Sequence, residues 1–203
     1  MNAARFQIFV PKKGIRISRS IILFGLVMIC LSILTLNKQL FNIEGLDKVL
    51  IFILLALLAL IVYFKISRQF EIEKIHGQLK GYIDFFEDRV IIDGVTYHLD
   101  QLSKIEINYG DYYSSNLFSS GLEPALSNGT QNRVTLFLNN GEELEVLFQV
   151  KEKDFLSGMR THLISYHKKD KISWVRLMYD LRLNDYDEIQ AFKKSLKETN
   201  GLL

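Results

Sequence analysis

Hydrophobic and polar positions alternate along this chain in three regimes. Residues 20–36 (SIILFGLVMICLSILTL) and 49–64 (VLIFILLALLALIVYF) are uninterrupted apolar runs with no polar stripe. A bilayer core of about 30 Å asks for about 20 residues of helix, so helices of about 20–36 and 47–66, lengthened by Ile17, Leu46, Ile66 and the stems of Lys48 and Lys65, are expected to span it. The second run holds thirteen Val, Leu, Ile and Phe residues, worth roughly −4 to −8 kcal/mol on insertion. In the first run the hydroxyls of Ser32 and Thr35 are expected to bond back into their own helix. A buried hairpin of a soluble protein is the competing reading. The absence of any polar stripe and the small size of the remaining chain weigh against it.

Beyond residue 78 the period becomes two. Leu79, Ile83 and Phe85, then Val90 and Ile92, alternate up to Asp93-Gly94, whose residues tolerate the positive φ of a two-residue turn. Val95, Tyr97 and Leu99 form the return strand, and Leu102, Ile105, Ile107 and Tyr109 a fourth. Val134, Leu136 and Leu138 lead into Asn140-Gly141, and Leu144, Val146, Phe148 and Val150 lead away from it. Between these hairpins, residues 109–132 are rich in Gly, Ser and Asn and read as a long loop, the kind that is functional or mobile in a compact domain. From about residue 151 the period is 3.6. Phe155, Leu156, Met159 and Leu163 mark one helix, Trp174, Leu177, Met178 and Leu181 a second, and Ile189, Phe192 and Leu196 a third, capped by Asn184 or Asp185 and ended by Gly201.

Charge adds a direction. Residues 1–64 carry seven basic and two acidic side chains, whereas residues 65–203 carry eighteen basic and twenty-one acidic. Residues 1–19, with Arg5, Lys12, Lys13, Arg16 and Arg19, read as a basic arm. The turn at 37–48 is charge-balanced, so both termini are expected in the cytoplasm of a multi-pass protein of the inner (plasma) membrane. A cleaved signal peptide fits less well, because no small-x-small site closes the run and a second span follows closely. An acidic domain is a poor match for nucleic acid. The single cysteine, Cys30, lies within the first run, which leaves no disulfide or zinc framework within the chain.

The run GQLKGYIDFFEDRVIIDGVTYHLDQLSKIEINYGDYY, followed by NRVTLFLNNGEELEVLFQV and a helix, resembles the bacterial pleckstrin-homology-like (PH-like) domains that follow paired membrane spans. The resemblance covers residues 79–167 and rests on hydrophobic pattern rather than on catalytic signatures. It implies a membrane-anchored α+β protein: a transmembrane hairpin (20–66), then a PH-like antiparallel β-sandwich or open barrel closed by a helix (67–168), then a helical extension (169–203). It also implies a binding or scaffolding module and no reaction. Lipid-binding members of the wider superfamily place several basic residues around the first hairpin. Here only Lys80 and Arg89 stand there, beside Asp84, Glu87 and Asp88, which argues against phosphoinositide-type recognition.

Two groups of residues are candidates for binding. Tyr109, Asp111, Tyr112 and Tyr113 head the long loop and offer a partner surface, or else aromatic packing that pins the loop to the sheet. Arg160, Lys168, Lys169, Lys171 and Arg176 face lipid headgroups or form a solvated helix end. His76, His98, His162 and His167 read as surface residues, because the five-residue spacing of the last two keeps them off one helical face. Asn128-Gly129-Thr130 matches a glycosylation acceptor, which a cytoplasmic location would disqualify. No catalytic residues, metal ligands or cofactor are expected. The chain reads as a non-enzymatic membrane protein whose partner is an unknown protein or a second copy. Lipid-headgroup sensing is the alternative, and an enzyme acting on a membrane-associated substrate, with the long loop as lid, a further one.

Overall fold

The computed structural model describes residues 3–15, 17–117 and 121–200, with the side chains of 156–157 and 197–200 excepted. Arg16 of the basic arm, residues 118–120 of the long loop, the side chain of Leu156 and Gly201 therefore lie outside the described residues. The chain divides into two compact units, one of Met1–Val10, Gly77–Tyr113 and Gly129–Leu203, the other of Pro11–His76 and Ser114–Asn128.

The first unit is built on a mostly antiparallel seven-stranded sheet. Its strands are β1 (Ala4–Pro11), β2 (Gly77–Phe85), β3 (Arg89–Ile92), β4 (Val95–His98), β5 (Leu102–Asn108), β8 (Asn132–Leu138) and β9 (Glu143–Gln149). Their order is β4-β3-β2-β1-β9-β8-β5. The first surprise is β1. Within the segment expected as a basic arm, Ala4–Pro11 occupies the middle of the sheet between β2 and β9, with Gln7 opposite Gln149 and Ile8 opposite Phe148. The apolar positions Phe6, Ile8 and Val10 alternate as a strand requires, among positive charges that mask the pattern.

The expected hairpins form. Ile92 pairs with Val95 across Asp93-Gly94, both at positive φ (48° and 84°), as a two-residue turn requires. The second hairpin is one residue looser, with Leu138 bonded to Glu142 across a loop that ends in Gly141 at φ 90°. A bulge between Leu102 and Lys104 explains why the buried positions of β5 run 102, 105, 107. β4 and β5 stand at opposite edges, yet only the 3-10 turn Leu99–Gln101 joins them. Three residues of such a turn advance about 6 Å, so the sheet curls until its edges approach without pairing. The result is an open curled sheet, neither a sandwich of two sheets nor a closed barrel.

Helix α3 (Phe155–Lys168) lies against this sheet, burying Met159, Leu163 and Tyr166. The Tyr166 hydroxyl donates to Phe86 O at 2.7 Å and Ser165 Oγ to Glu87 O at 2.7 Å, which pins the helix to the β2–β3 turn. Helices α4 (Trp174–Asp180) and α5 (Tyr186–Asn200) place Leu177, Met178 and Phe192 in the same core. Residues between Ile172 and Leu196, within the expected helical extension, thus pack into the core of the sheet unit.

The second unit contains α1 (Arg19–Leu36), which continues through a π-helical turn (Asn37–Phe41), and α2 (Leu46–Ser67), followed by the 3-10 turn Arg68–Phe70. Both are long and apolar enough to cross a membrane. Ser32 Oγ bonds Met28 O and Thr35 Oγ1 bonds Ser32 O, within the helix as expected. The buried side chain of Asn37 closes the turn, accepting from Ile43 N at 2.9 Å and donating to Asp47 Oδ1 at 2.7 Å.

Residues 114–128 of the long loop belong to this unit and are not a free lid. They carry β6 (Tyr113–Asn116) and β7 (Leu126–Asn128), which pair with each other. The Arg68 guanidinium donates to Gly121 O, Ala125 N to Arg68 O, Glu73 N to Leu126 O, and Ser20 Oγ to Glu123 at 2.9 Å. Together they form a clasp across the starting turn of α1 and the end of α2. The hydrogen bond from Arg19 holds the Glu71 carboxyl below its usual range, helped by Ser67. Burial pushes the Glu123 carboxyl up, but bonds from Ser20 and backbone N–H groups outweigh it and leave it lowered. Carboxyls depressed by folding stabilise above their unfolded pKa, near 4.3, and lose that contribution as pH falls through the folded value. Amide exchange at residues 121–126, corrected for intrinsic rate, is therefore expected to show the clasp loosening below about pH 4.3. Glu71→Gln with Glu123→Gln is expected to remove that dependence.

Candidate functional site

Strand β1 also borders a concavity of the sheet unit. Its period of two sets Arg5 and Gln7 on the face away from the core residue Ile8, and the register places Gln149 of β9 opposite Gln7. Tyr82 of β2 and Lys151 and Glu152 beyond β9 complete the rim, with Phe6 and Phe155 at its apolar end, around an open groove of about 440 Å³. Arg5 is held by a two-pronged pair to Asp84, with Nε donating to Oδ1 at 2.6 Å and Nη2 to Oδ2 at 3.0 Å, and its guanidinium lies 5.2 Å from the Tyr82 ring centre. Arg5 and Lys151 are balanced by Asp84 and Glu152. Such a groove offers amide hydrogen-bonding groups and the Tyr82 ring rather than net charge. Reading residues 1–19 as an arm concealed Arg5 and Gln7 as candidates.

The tyrosine group divides. Tyr109 turns inward, with its ring 5.3 Å from Phe155 and its hydroxyl donating to Asp180 Oδ1 at 3.1 Å. Burial raises its pKa, and the adjacent Asp180 charge adds to the effect. Asp180 is fully buried, and burial also raises its carboxyl against the opposing pull of Arg176, 2.9 Å away, and of Tyr109. Asp111 ties the base of the loop, accepting from Gln131 N at 2.8 Å while its own N–H donates to Asn132. Tyr112 is half-buried, and Tyr113 is exposed with its N–H bonded to Val150 O. The packing alternative therefore holds for Tyr109, and the structure does not bring the four residues into one surface.

No family model, curated protein or solved structure matches this chain.

The basic group divides as well. Lys171 donates to Leu102 O at 2.7 Å and Arg176 to Ile107 O, so both cap backbone carbonyls of β5. Arg160 lies over the Phe192 ring, leaving Lys168 and Lys169 as the exposed pair at the end of α3. His162 is buried, in contrast to the expected surface position, because it lies three residues after Met159 and four before Tyr166, on the packed face of α3. His167 Nδ1 donates to Ile172 O at 2.8 Å, and the ring packs on Trp174. Among the described residues no three His, Cys, Asp or Glu side chains are grouped to hold a metal. Asn128 and Thr130 of the acceptor motif are both buried.

Proposed function

We propose that this chain is a two-span protein of the inner membrane whose sheet unit is a PH-like, non-enzymatic binding or scaffolding module on the cytoplasmic side. The observation that carries the reading is the place of the helices in the chain. They lie between β1 and β2, which are neighbours in one sheet. The sheet is complete only when the segment before α1 and the segment after α2 are on the same side of a bilayer, which demands an even number of crossings. Two apolar helices supply that number, and their side chains, such as Phe52 and Leu55, are exposed as lipid-facing residues would be. The curled antiparallel sheet with a following helix across it supports the PH-like reading. The groove at Arg5, Gln7, Tyr82 and Gln149 is the surface offered to a protein partner or a second copy. Dispersal of the basic group weakens the alternative in which the sheet unit itself senses lipid.

Cysteine accessibility tests the arrangement. In a Cys30→Ser background, a membrane-impermeant maleimide applied to intact cells is expected to label Glu44→Cys in the helix turn and to spare Thr96→Cys in β4 until the cells are opened. Labelling of Thr96→Cys in intact cells would refute the orientation. Photocrosslinkers at Gln7 and Tyr82 are then expected to capture the partner, and a Tyr82→Ala chain is expected to lose most of that product.

A further inference from the structure

We infer that the helix unit carries a collar for anionic phospholipid headgroups at the open ends of α1 and α2, formed by Lys12, Lys13, Lys65 and Lys74 around the apolar side chains of Ile15, Ile17 and Phe70. The inference rests on the membrane reading above and adds the chemistry of the lipid.

Charge is the first support. At the turn end of the unit, Lys38 and Lys48 are matched by Glu44 and Asp47. At the open end, the six described Lys and Arg residues of segments 11–35, 65–76 and 114–128 stand against Glu71, Glu73 and Glu123. Two of those carboxylates are engaged internally. Glu71 takes the Arg19 guanidinium at 2.6 Å and Ser67 Oγ at 2.9 Å, while Glu123 takes Ser20 Oγ and Leu122 N. Arg68 is buried against Gly121 O. The excess positive charge thus rests on the four lysines, all of them exposed.

Exposure of apolar side chains is the second, independent support. Ile15 is 97% exposed, Ile17 64% and Phe70 80%, and all three lie outside α1 and α2, flanked by these lysines. In water such side chains are a cost without return. In the headgroup layer the apolar groups enter the acyl boundary while the ammonium groups reach phosphates, the pairing that interfacial segments use. Tyr63, exposed near the C-terminal end of α2, is placed as interfacial tyrosines are. A zwitterionic surface would leave the lysines unmatched, so the occupant is an anionic lipid.

The test uses the full chain in phosphatidylcholine vesicles doped with spin-labelled phosphatidylglycerol or spin-labelled phosphatidylcholine. Lipid immobilised at the protein is expected to favour the glycerol lipid about fivefold, the equivalent of one lysine–headgroup contact near the surface. The preference is expected to shrink in high salt. Replacing Lys12, Lys13, Lys65 and Lys74 by Gln is expected to bring the ratio to parity. Ile15→Ser with Phe70→Ser, which leaves every charge in place, is expected to lower it partway. Equal association of both lipids with the unaltered chain, or a preference that the Gln variant retains, overturns the inference. Alkaline carbonate extraction of the same vesicles separates the two levels. A chain that stays in the pellet at parity refutes the collar alone, whereas a chain that is extracted refutes the membrane reading with it.

Discussion

A fragment of residues 68–203 is expected to remain unfolded, although it contains every strand of the seven-stranded sheet except β1. The missing strand is the central one, and its loss exposes the pairing edges of both β2 and β9. It also removes Phe6, whose ring stands 5.9 Å from Phe85, 5.3 Å from Phe148 and 5.7 Å from Phe155, and the buried Ile8. Truncating one core phenylalanine costs about 3–5 kcal/mol. Losing two core side chains and two ladders of backbone bonds together exceeds the roughly 5–15 kcal/mol that stabilises an ordinary domain. The fragment is expected to show no near-ultraviolet circular dichroism and to aggregate. A chain that joins residues 3–11 to residue 77 through a short flexible linker, omitting the helices, is expected to recover cooperative unfolding. A cooperatively unfolding 68–203 fragment would show that β1 is dispensable.

The second large effect is expected at Gly129. Its φ is +76°, and a Cβ there would stand 2.2 Å from Val150 O and 2.8 Å from Tyr113 N. Those atoms bond to each other at 3.0 Å, while Val150 N donates to Gly129 O at 2.8 Å and the buried Asn132 amide donates to the same oxygen. A methyl group has no flexible neighbour to displace, only the backbone that ends β9 and begins the clasp segment. Left-handed strain of about 1–2 kcal/mol, backbone displacement of about 1–3 and a lost buried hydrogen bond of about 1–3 place Gly129→Ala near 3–8 kcal/mol of destabilisation. Thermal unfolding of the purified chain in detergent is expected to show a fall in Tm of about 6 °C or more. Gly94→Asn, at φ 84° in open space, is expected to move it far less, since asparagine tolerates that conformation. Equal effects at both positions would place the cost of Gly129→Ala in φ alone.

The groove and the collar were legible to different degrees. The lysines of the collar are prominent in the sequence, but only the structure shows that Glu71 and Glu123 are engaged elsewhere and that Ile15 and Phe70 face outward. Arg5 and Gln7 were hidden by their charged neighbours. Lys171 and Arg176 looked like partners of Lys168 and Lys169 until their bonds to the carbonyls of Leu102 and Ile107 separated them.

The two apolar runs, the turns at Asp93-Gly94 and around Gly141, and the apolar faces of α3 to α5 follow from the sequence by itself. Each depends on the conformational preference and burial of residues within a few positions of one another. Tertiary structure decided the rest. The capture of residues 4–11 by strands some seventy and some one hundred and forty positions away, the assignment of 114–128 to the helix unit and the burial of His162 all depend on which distant backbone supplies hydrogen-bond partners. Periodicity records which face of an element is apolar; it carries no record of the element that will cover it.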